Sequence, residues 1–209
     1  MKWEVKMTNK KLAIAFALLA LPGLSAAATF NYNHVNAGFT SFSSDIKGIP
    51  EDLEGNGFGI GLSLNANEHF AILFQYAVSS ADVTTSGSTF EGDSYSTLIG
   101  GYFHTPVNVT TDLLLGVGFL QGNVEMTQDG TSLGDEDVSG HIIQAGFKTM
   151  LAQNIELNAA VSQSEIEDDS SSSVILGGAL HLSKEASIGA SFESEDDGSA
   201  FSLSVAKYF

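Results

Sequence analysis

The sequence predicts an all-β fold: a transmembrane antiparallel up-and-down β-barrel of about ten strands, with eight strands as the alternative count. Three observations predict it. Apolar and small residues alternate with a period of two, short and longer connections alternate between these runs, and the last run ends at Phe209. A period of two indicates a strand, because successive side chains of a strand point to opposite faces.

The composition bounds the possible functions. The chain has 209 residues, no Cys and a formal net charge of −17, so a disulfide framework is excluded. Residues 29–209 carry four Lys against 24 Asp and Glu, a net charge of −20. Such a chain is repelled by phosphate backbones, which excludes nucleic acid as a partner. The Gly-rich run 55–59 opens no helical pattern, so it is not a phosphate loop, and we expect no cofactor.

The first 28 residues have the order of a secretory signal peptide. Lys10 and Lys11 precede ten apolar residues, 12–21; Pro22 and Gly23 end that run, and small residues follow up to Ala28. This order is the secretory pattern, and ten apolar residues are too few to span a bilayer as a helix. We predict a cleaved signal peptide over 1–28 and one barrel domain over 29–209.

Ten runs with strand periodicity follow. The clearest covers residues 57–64, in which Phe58, Ile60 and Leu62 share one face while the other face is Gly and Ser. Most runs are long enough for a tilted membrane strand, which needs about 9–11 residues. The runs lie at 29–42, 56–65, 69–80, 93–104, 109–124, 138–151, 154–165, 173–183, 186–194 and 199–209.

The connections between these runs fall into two alternating classes. Short turns at one end and longer extracellular loops at the other are typical of bacterial outer-membrane barrels. The acidic residues concentrate in or beside the longer connections, which predicts an acidic extracellular end. The short connections are 65–68, 105–108, 152–154 and 183–185; the longer ones are 43–55, 81–92, 125–137, 166–172 and 195–198.

The two faces of the strands favour a membrane barrel over a soluble one. Alternation alone does not say which face is inside. The second face is mostly Gly, Ser, Ala, Asn and Gln, which suits a narrow, filled lumen better than a solvated surface. Aromatic residues also sort toward two girdles. Phe30, Tyr32, Phe70, Tyr102, Phe103, Tyr208 and Phe209 map to the short-turn end; Phe39, Phe58, Phe74, Tyr76, Tyr95, Phe192 and Phe201 map nearer the loop end.

The last run looks like the terminal signal that outer-membrane barrels present to their assembly machinery. It ends in Phe209, with Val205, Leu203 and Phe201 on the same face. Lys207 stands two residues before the end, where an aromatic residue is usual, and its long side chain is able to snorkel to the interface.

Three short stretches carry a family resemblance: FNYNHVNAGF at 30–39, GFGIGLSL at 57–64 and LIGGY at 98–102. On these, the chain resembles the small porin-like or opacity-type outer-membrane β-barrels. The resemblance implies the fold and a place in the bacterial outer membrane, without implying any chemistry. We accordingly expect a monomer that meets outer-membrane lipid and lipopolysaccharide, the assembly machinery and periplasmic chaperones.

One candidate site lies in the lumen. Strand parity places Asp112, Lys148 and Glu156 on inward faces near the short-turn end, with His181 at a similar height. A lone buried cation needs a partner, because an unpaired charge in a narrow lumen is costly. We hypothesise that these four residues form a network that plugs or gates the lumen; generic polar filling is the alternative.

Two other kinds of site are not predicted. Acidic clusters such as Asp135-Glu136-Asp137 offer oxygen ligands for Ca²⁺ or Mg²⁺, but without the spacing of a calcium loop we expect a solvated acidic surface and no metal site. His141 with Ser139 on the same face suggests a base and a nucleophile, yet Ser is common here. We expect no enzyme.

Three functions remain open from the sequence. The first is an integral outer-membrane barrel with acidic extracellular loops and an envelope-structural or surface-interaction role. The second is a narrow, cation-preferring porin. The third is a soluble periplasmic or secreted β-barrel that carries a ligand.

Overall fold

The barrel is built from ten antiparallel strands. A computed structural model describes residues 30–45, 52–85, 87–167 and 169–209; the predicted signal peptide, 1–28, lies outside the described residues. The strands are β1 (His34–Ser44), β2 (Leu53–Asn65), β3 (Phe70–Thr85), β4 (Ser88–Asn108), β5 (Thr111–Gln128), β6 (Thr131–Ala152), β7 (Ile155–Ile166), β8 (Asp169–His181), β9 (Ala186–Glu195) and β10 (Gly198–Tyr208).

Each strand pairs with its neighbours in sequence, and the sheet closes on itself. β1 pairs with β10 along its whole length, from His34 opposite Tyr208 to Ser44 opposite Gly198. Closure removes the two sheet edges that an open sheet would leave unpaired. The prediction of an all-β, ten-stranded barrel is confirmed, and the eight-strand alternative is wrong. No helix among the described residues is both long and apolar enough to cross a membrane.

The large apolar side chains point outward. Phe58, Ile99, Phe119 and Val161 are each more than half exposed, and every strand contributes exposed large apolar residues. An apolar surface that encircles a barrel is unfavourable in water, whereas it is the surface that contacts lipid in a membrane barrel. The membrane orientation is therefore confirmed, and the soluble carrier, which needs its apolar faces inside, is wrong.

The structure corrects the predicted extracellular loops. Residues 81–92 and 125–137, predicted as long loops, belong mostly to strands: β3 extends to Thr85 and β4 begins at Ser88, while β5 and β6 extend to a turn at Asp129-Gly130. Both residues of this turn have positive φ, 50° and 76°, as a two-residue hairpin turn requires. The predicted strands ended where the outward residues became polar, but that point marks the end of the lipid contact and not of the strand.

Four strands thus continue beyond the lipid as a protruding sheet, which we define as residues 80–85, 88–94, 121–128 and 131–141 of β3 to β6. On β4 the outward face changes from Tyr95 to Asp93 and Glu91, and on β6 from Ile143 to His141 and Asp137. At about 3.4 Å per residue, the β6 extension adds roughly 35 Å along the strand.

One of the two aromatic girdles differs from its prediction. The seven aromatic residues expected nearer the loop end all face outward. At the short-turn end, Phe70, Phe103 and Phe209 also face outward, but Tyr32, Tyr102 and Tyr208 are at most 3% exposed and point into the lumen. These three tyrosines belong to the lumenal site.

Candidate functional site

The four lumenal residues predicted from parity lie at one level, near the short-turn end. Asp112 is near the start of β5, Lys148 in β6, Glu156 near the start of β7 and His181 at the end of β8. Lys148 and Glu156 are fully buried, and the other two are no more than 8% exposed. The structure therefore brings all four together inside the barrel.

The contacts among these residues centre on Glu156. Lys148 Nζ lies 3.8 Å from one carboxylate oxygen of Glu156, and His181 Nε2 lies 3.3 Å from the other. Asp112 stands directly opposite Lys148 in the β5–β6 register. One lysine thus faces two carboxylates, in a lumen where each charge depends on its neighbours because water is displaced.

Sequence reasoning missed Tyr32 and His104, which join the same network. The Tyr32 hydroxyl donates a hydrogen bond of 2.7 Å to Asp112 Oδ2, and the Tyr32 ring centre lies 4.9 Å from Lys148 Nζ, within the range of a cation–π contact. The His104 ring stacks on Tyr32 at 3.8 Å between ring centres. We call Tyr32, His104, Asp112, Lys148, Glu156 and His181 the lower-lumen network.

Two further tyrosines close the same level. The Tyr102 hydroxyl hydrogen-bonds with Ser63 Oγ at 2.8 Å, and the Tyr208 hydroxyl with Ser187 Oγ at 3.0 Å. The ring of His34 packs 5.5 Å from that of Tyr208. The alternation of β4 predicts that Tyr102 points inward, since Tyr102 lies on the same face as Leu98 and Phe103 lies on the opposite face.

The upper lumen is filled differently, by a cluster of apolar side chains. We call it the upper-lumen cluster; its inward members come mainly from β2 to β7, and each is at most 8% exposed. Glycines make room for it: a Cβ on Gly55 would overlap the ring of Phe42 and lie 2.7 Å from the Ala81 Cβ. The buried members are Phe42, Leu53, Leu73, Ala81, Val83, Leu98, Leu120, Val124, Met126, Val138, Ile142 and Ile166.

Outward carboxylates form two rows on the protruding sheet. In the first row, Glu54 on β2 pairs with Asp82, and Asp82 pairs with Glu91. In the second row, Asp93 pairs with Glu125, and Glu125 pairs with Asp135. Like charges directly opposite each other destabilise a sheet. These rows therefore act against stability and give the outer surface a strong negative potential.

The acidic end also includes the residues flanking the β1–β2 connection. A hydrogen bond with Asp52 raises the pKa of Asp45 above its ordinary value, because the two carboxyl groups share a proton more readily than they bear two charges. Asp197, from the β9–β10 turn, adds to this effect.

The structure does not place His141 and Ser139 as a base and a nucleophile in contact. His141 Nε2 lies 3.6 Å from Glu165 Oε2, while the Ser139 hydroxyl donates to Glu167 Oε1 at 3.3 Å. Within the described part of the chain, no group of three or more His, Cys, Asp or Glu side chains is placed to hold a metal ion.

The four residues predicted as an assembly signal lie on the outer surface of β10 and at its end. Phe201, Leu203, Val205 and Phe209 are between 48% and 61% exposed. Lys207 occupies the same outward face, so the terminal strand presents a continuous surface that is apolar except at that position.

A closed antiparallel barrel with an apolar belt around a filled lumen defines an integral outer-membrane β-barrel protein. The chain belongs to the outer membrane protein beta-barrel domain family, whose model matches residues 12–209. The predicted resemblance is confirmed, and the protein resides in the bacterial outer membrane, in contact with its lipid and lipopolysaccharide.

Several solved structures are similar to this chain at low sequence identity. The transport unit of the autotransporter AIDA-I from Escherichia coli is 11% identical with a TM-score of 0.55, covering 96% of this chain and 98% of that one. The translocator domain of the autotransporter NalP from Neisseria meningitidis is 13% identical with a TM-score of 0.53, covering 97% and 95%. Ail, the attachment invasion locus protein of Yersinia pestis, is 14% identical with a TM-score of 0.47, covering 86% and 99%. No curated protein sequence matches the chain.

Proposed function

We propose that this protein is a non-conducting, non-enzymatic barrel that presents its acidic protruding sheet to cationic partners at the cell surface. The observation that carries the proposal is the protruding sheet itself. It extends beyond the lipid as paired strands, and it keeps two rows of carboxylates in direct register, at a cost in stability. A surface that acts against folding is better explained by recognition than by packing.

The filled lumen supports a non-conducting barrel over the porin alternative. An ion would have to pass the upper-lumen cluster, whose members are at most 8% exposed, and then the lower-lumen network, where Lys148 and Glu156 are fully buried. The side chains of the cluster offer no ligand to replace the hydration of an ion, and the lower-lumen network is occupied by side chains that bind one another. We therefore assign the lower-lumen network the role of a plug.

We infer the partners in transport and assembly from the location of the protein in the outer membrane. A barrel delivered across the periplasm needs chaperones on the way and an assembly machinery at the membrane, and the surface formed by Phe201, Leu203, Val205 and Phe209 is the segment we propose it presents. Lipid alone is sufficient to cover the apolar belt of the barrel, so we propose that the protein is a monomer.

Single-channel recording tests the plug. The purified barrel in a planar bilayer should give no conductance steps, with a general porin as the positive control. Reproducible ohmic steps with cation selectivity would overturn the non-conducting proposal and restore the narrow pore.

Binding to a basic surface tests the role of the sheet. The barrel in lipid nanodiscs should bind polylysine-coated beads at low salt and lose binding as salt screens the charges. A variant with Glu91→Gln and Glu125→Gln should bind less, whereas the matched periplasmic-end control Glu68→Gln with Glu185→Gln, which also removes two charges, should bind as before. Equal binding by both variants would contradict the proposal.

A further inference from the structure

A second polar region lies in the upper lumen beside the upper-lumen cluster, on β7 to β9. Three neighbouring strands direct serines and glutamates inward there: Ser162 and Ser164 from β7, Ser171 and Ser173 from β8, and Glu193 and Glu195 from β9. Ser164, Ser173 and Glu193 are at most 8% exposed. We call these six residues the serine–glutamate block.

In the block, serine hydroxyls donate hydrogen bonds to the glutamate carboxylates, and some carboxylate lone pairs accept no hydrogen bond from the block. Ser173 Oγ donates to Glu193 Oε1 at 2.5 Å, and Ser162 Oγ lies 2.7 Å from Ser173 Oγ. Ser171 Oγ donates to Glu195 Oε2 at 3.0 Å. Each hydroxyl has one proton, whereas each carboxylate accepts about four hydrogen bonds. Two carboxylates on alternate residues of one strand are thus held with oxygen lone pairs to spare.

Ser164 adds an independent sign that the block is incomplete. Its side chain is 1% exposed, and its hydroxyl oxygen has no hydrogen-bond partner. Ser164 stands directly opposite Ser171 on the inward face, beside the hydroxyl that holds Glu195. A buried hydroxyl normally finds a partner, so this position calls for a bound group.

No lysine that the structure describes lies at the level of the block. Among the described residues the lysines are Lys148 in the lower-lumen network, Lys184 in the β8–β9 turn and Lys207 near the end of β10, all toward the short-turn end. The charged groups that interact electrostatically with Glu193 and Glu195 are also acids. Glu195 acts on Glu193, and Asp196 and Asp197 act on Glu195. Burying Glu193 and partly burying Glu195 beside further acids is costly.

We propose that the serine–glutamate block binds one divalent cation of the Ca²⁺ type. Two carboxylates and several hydroxyls make an all-oxygen donor set, which hard cations prefer, and a charge of +2 matches the two carboxylates. The block stands apart from the acidic sheet that carries the proposed surface role. The block holds two carboxylates, and its other oxygen donors are serine hydroxyls. It is therefore a different kind of site from a cluster of three or more acidic or imidazole side chains. The sequence had suggested no metal site.

Calcium-dependent unfolding tests the proposal. The full barrel, refolded in detergent and treated with EDTA, is titrated with urea with and without 10 mM CaCl2. For an affinity of about 1 mM, typical of extracellular sites, this calcium concentration should raise the folding equilibrium constant about elevenfold. The isosteric double variant Glu193→Gln with Glu195→Gln should lose that gain. The matched control Asp135→Asn with Asp137→Asn, which removes two charges from the outer surface, should keep it.

A direct binding measurement covers the case in which the double variant fails to fold. Equilibrium dialysis of the wild-type barrel against ⁴⁵Ca should give one ion per chain, and Ser164→Ala with Ser171→Ala, which keeps the charge, should weaken binding several-fold. Folding of each variant is checked by its gel mobility with and without boiling. No calcium response in the wild type, or a response kept by the glutamine variant and lost by the outer-surface control, would overturn the proposal.

Discussion

The lower-lumen network and the upper-lumen cluster fill two parts of the same barrel with opposite chemistry. The lower-lumen network consists of directional contacts, such as the 2.7 Å bond from Tyr32 to Asp112, in which losing one member leaves another charged and buried. The upper-lumen cluster consists of apolar side chains whose contacts have no preferred direction. The first should therefore respond to a change of charge, and the second to a change of volume.

The largest effect should come from removing the central cation of the lower-lumen network. Lys148→Met keeps the length of the side chain but leaves Glu156 and Asp112 without their positive neighbour. Breaking a buried ion pair on one side typically costs about 3–5 kcal/mol, so we expect a loss of that size in the free energy of unfolding, measured by urea titration in detergent micelles.

Two companions sharpen this result. Lys207→Met, on the outer face of β10, should change stability by no more than about 0.5 kcal/mol. Adding Glu156→Gln to Lys148→Met should recover part of the loss, with a coupling energy of about 0.5–3 kcal/mol. A loss below about 1 kcal/mol for Lys148→Met alone would show that the network is ordinary polar filling.

A volume change in the upper-lumen cluster should rank next. Leu120 is fully buried in β5, and Leu120→Ala should cost about 3 kcal/mol, the sum of lost transfer energy and a cavity. Leu115→Ala is the matched control on the same strand: Leu115 is 48% exposed toward lipid, so its truncation leaves no cavity and should cost less. Urea midpoints of both variants measure the difference, and equal losses would mean that the cluster is loosely packed.

The comparison also shows what the sequence could and could not predict. The heights of Asp112, Lys148 and Glu156 followed from parity and from counting residues to the nearest short turn. Both quantities are local, since register along an antiparallel sheet is set by the turns. Tyr32 was assigned to the lipid interface instead, because the aromatic residues were sorted by their height along the strands and not by the face that they occupy.

The upper-lumen cluster left a signal that alternation alone obscures. Leu98-Ile99, Phe119-Leu120 and Ile142-Ile143 are adjacent apolar pairs in which one residue is buried inside and the other faces lipid. Such pairs mark the level where the apolar belt outside overlaps the apolar filling inside. The extent of β3 to β6 could not be predicted, because beyond the lipid nothing requires the outward residues to be apolar and the period-two pattern loses its contrast.

A third variant overfills the upper lumen. In Gly55→Ala the new methyl group would overlap the Phe42 ring and lie 2.6 Å from the backbone oxygen of Ser80. Overpacking of this kind costs about 1–3 kcal/mol, and we expect about 2 kcal/mol by urea titration. Gly59→Ala is the control four residues along the same inward face, where the nearest atoms are 3.4 and 3.6 Å away. If Gly59→Ala were as damaging, backbone strain and not cluster volume would explain the loss.

The smallest expected effect separates charged from neutral hydrogen bonds in the lower lumen. Tyr32→Phe removes the donor to Asp112, a carboxylate that is 7% exposed, and should cost about 1.5 kcal/mol, because bonds to charged groups are the stronger ones. Tyr102→Phe removes an equally short bond, of 2.8 Å, to the neutral hydroxyl of Ser63, and should cost about 0.5–1 kcal/mol. Both tyrosines are buried at the same level, so the difference between their urea midpoints isolates the charge of the acceptor. Equal losses would contradict the expectation that the bond to the carboxylate is the stronger of the two.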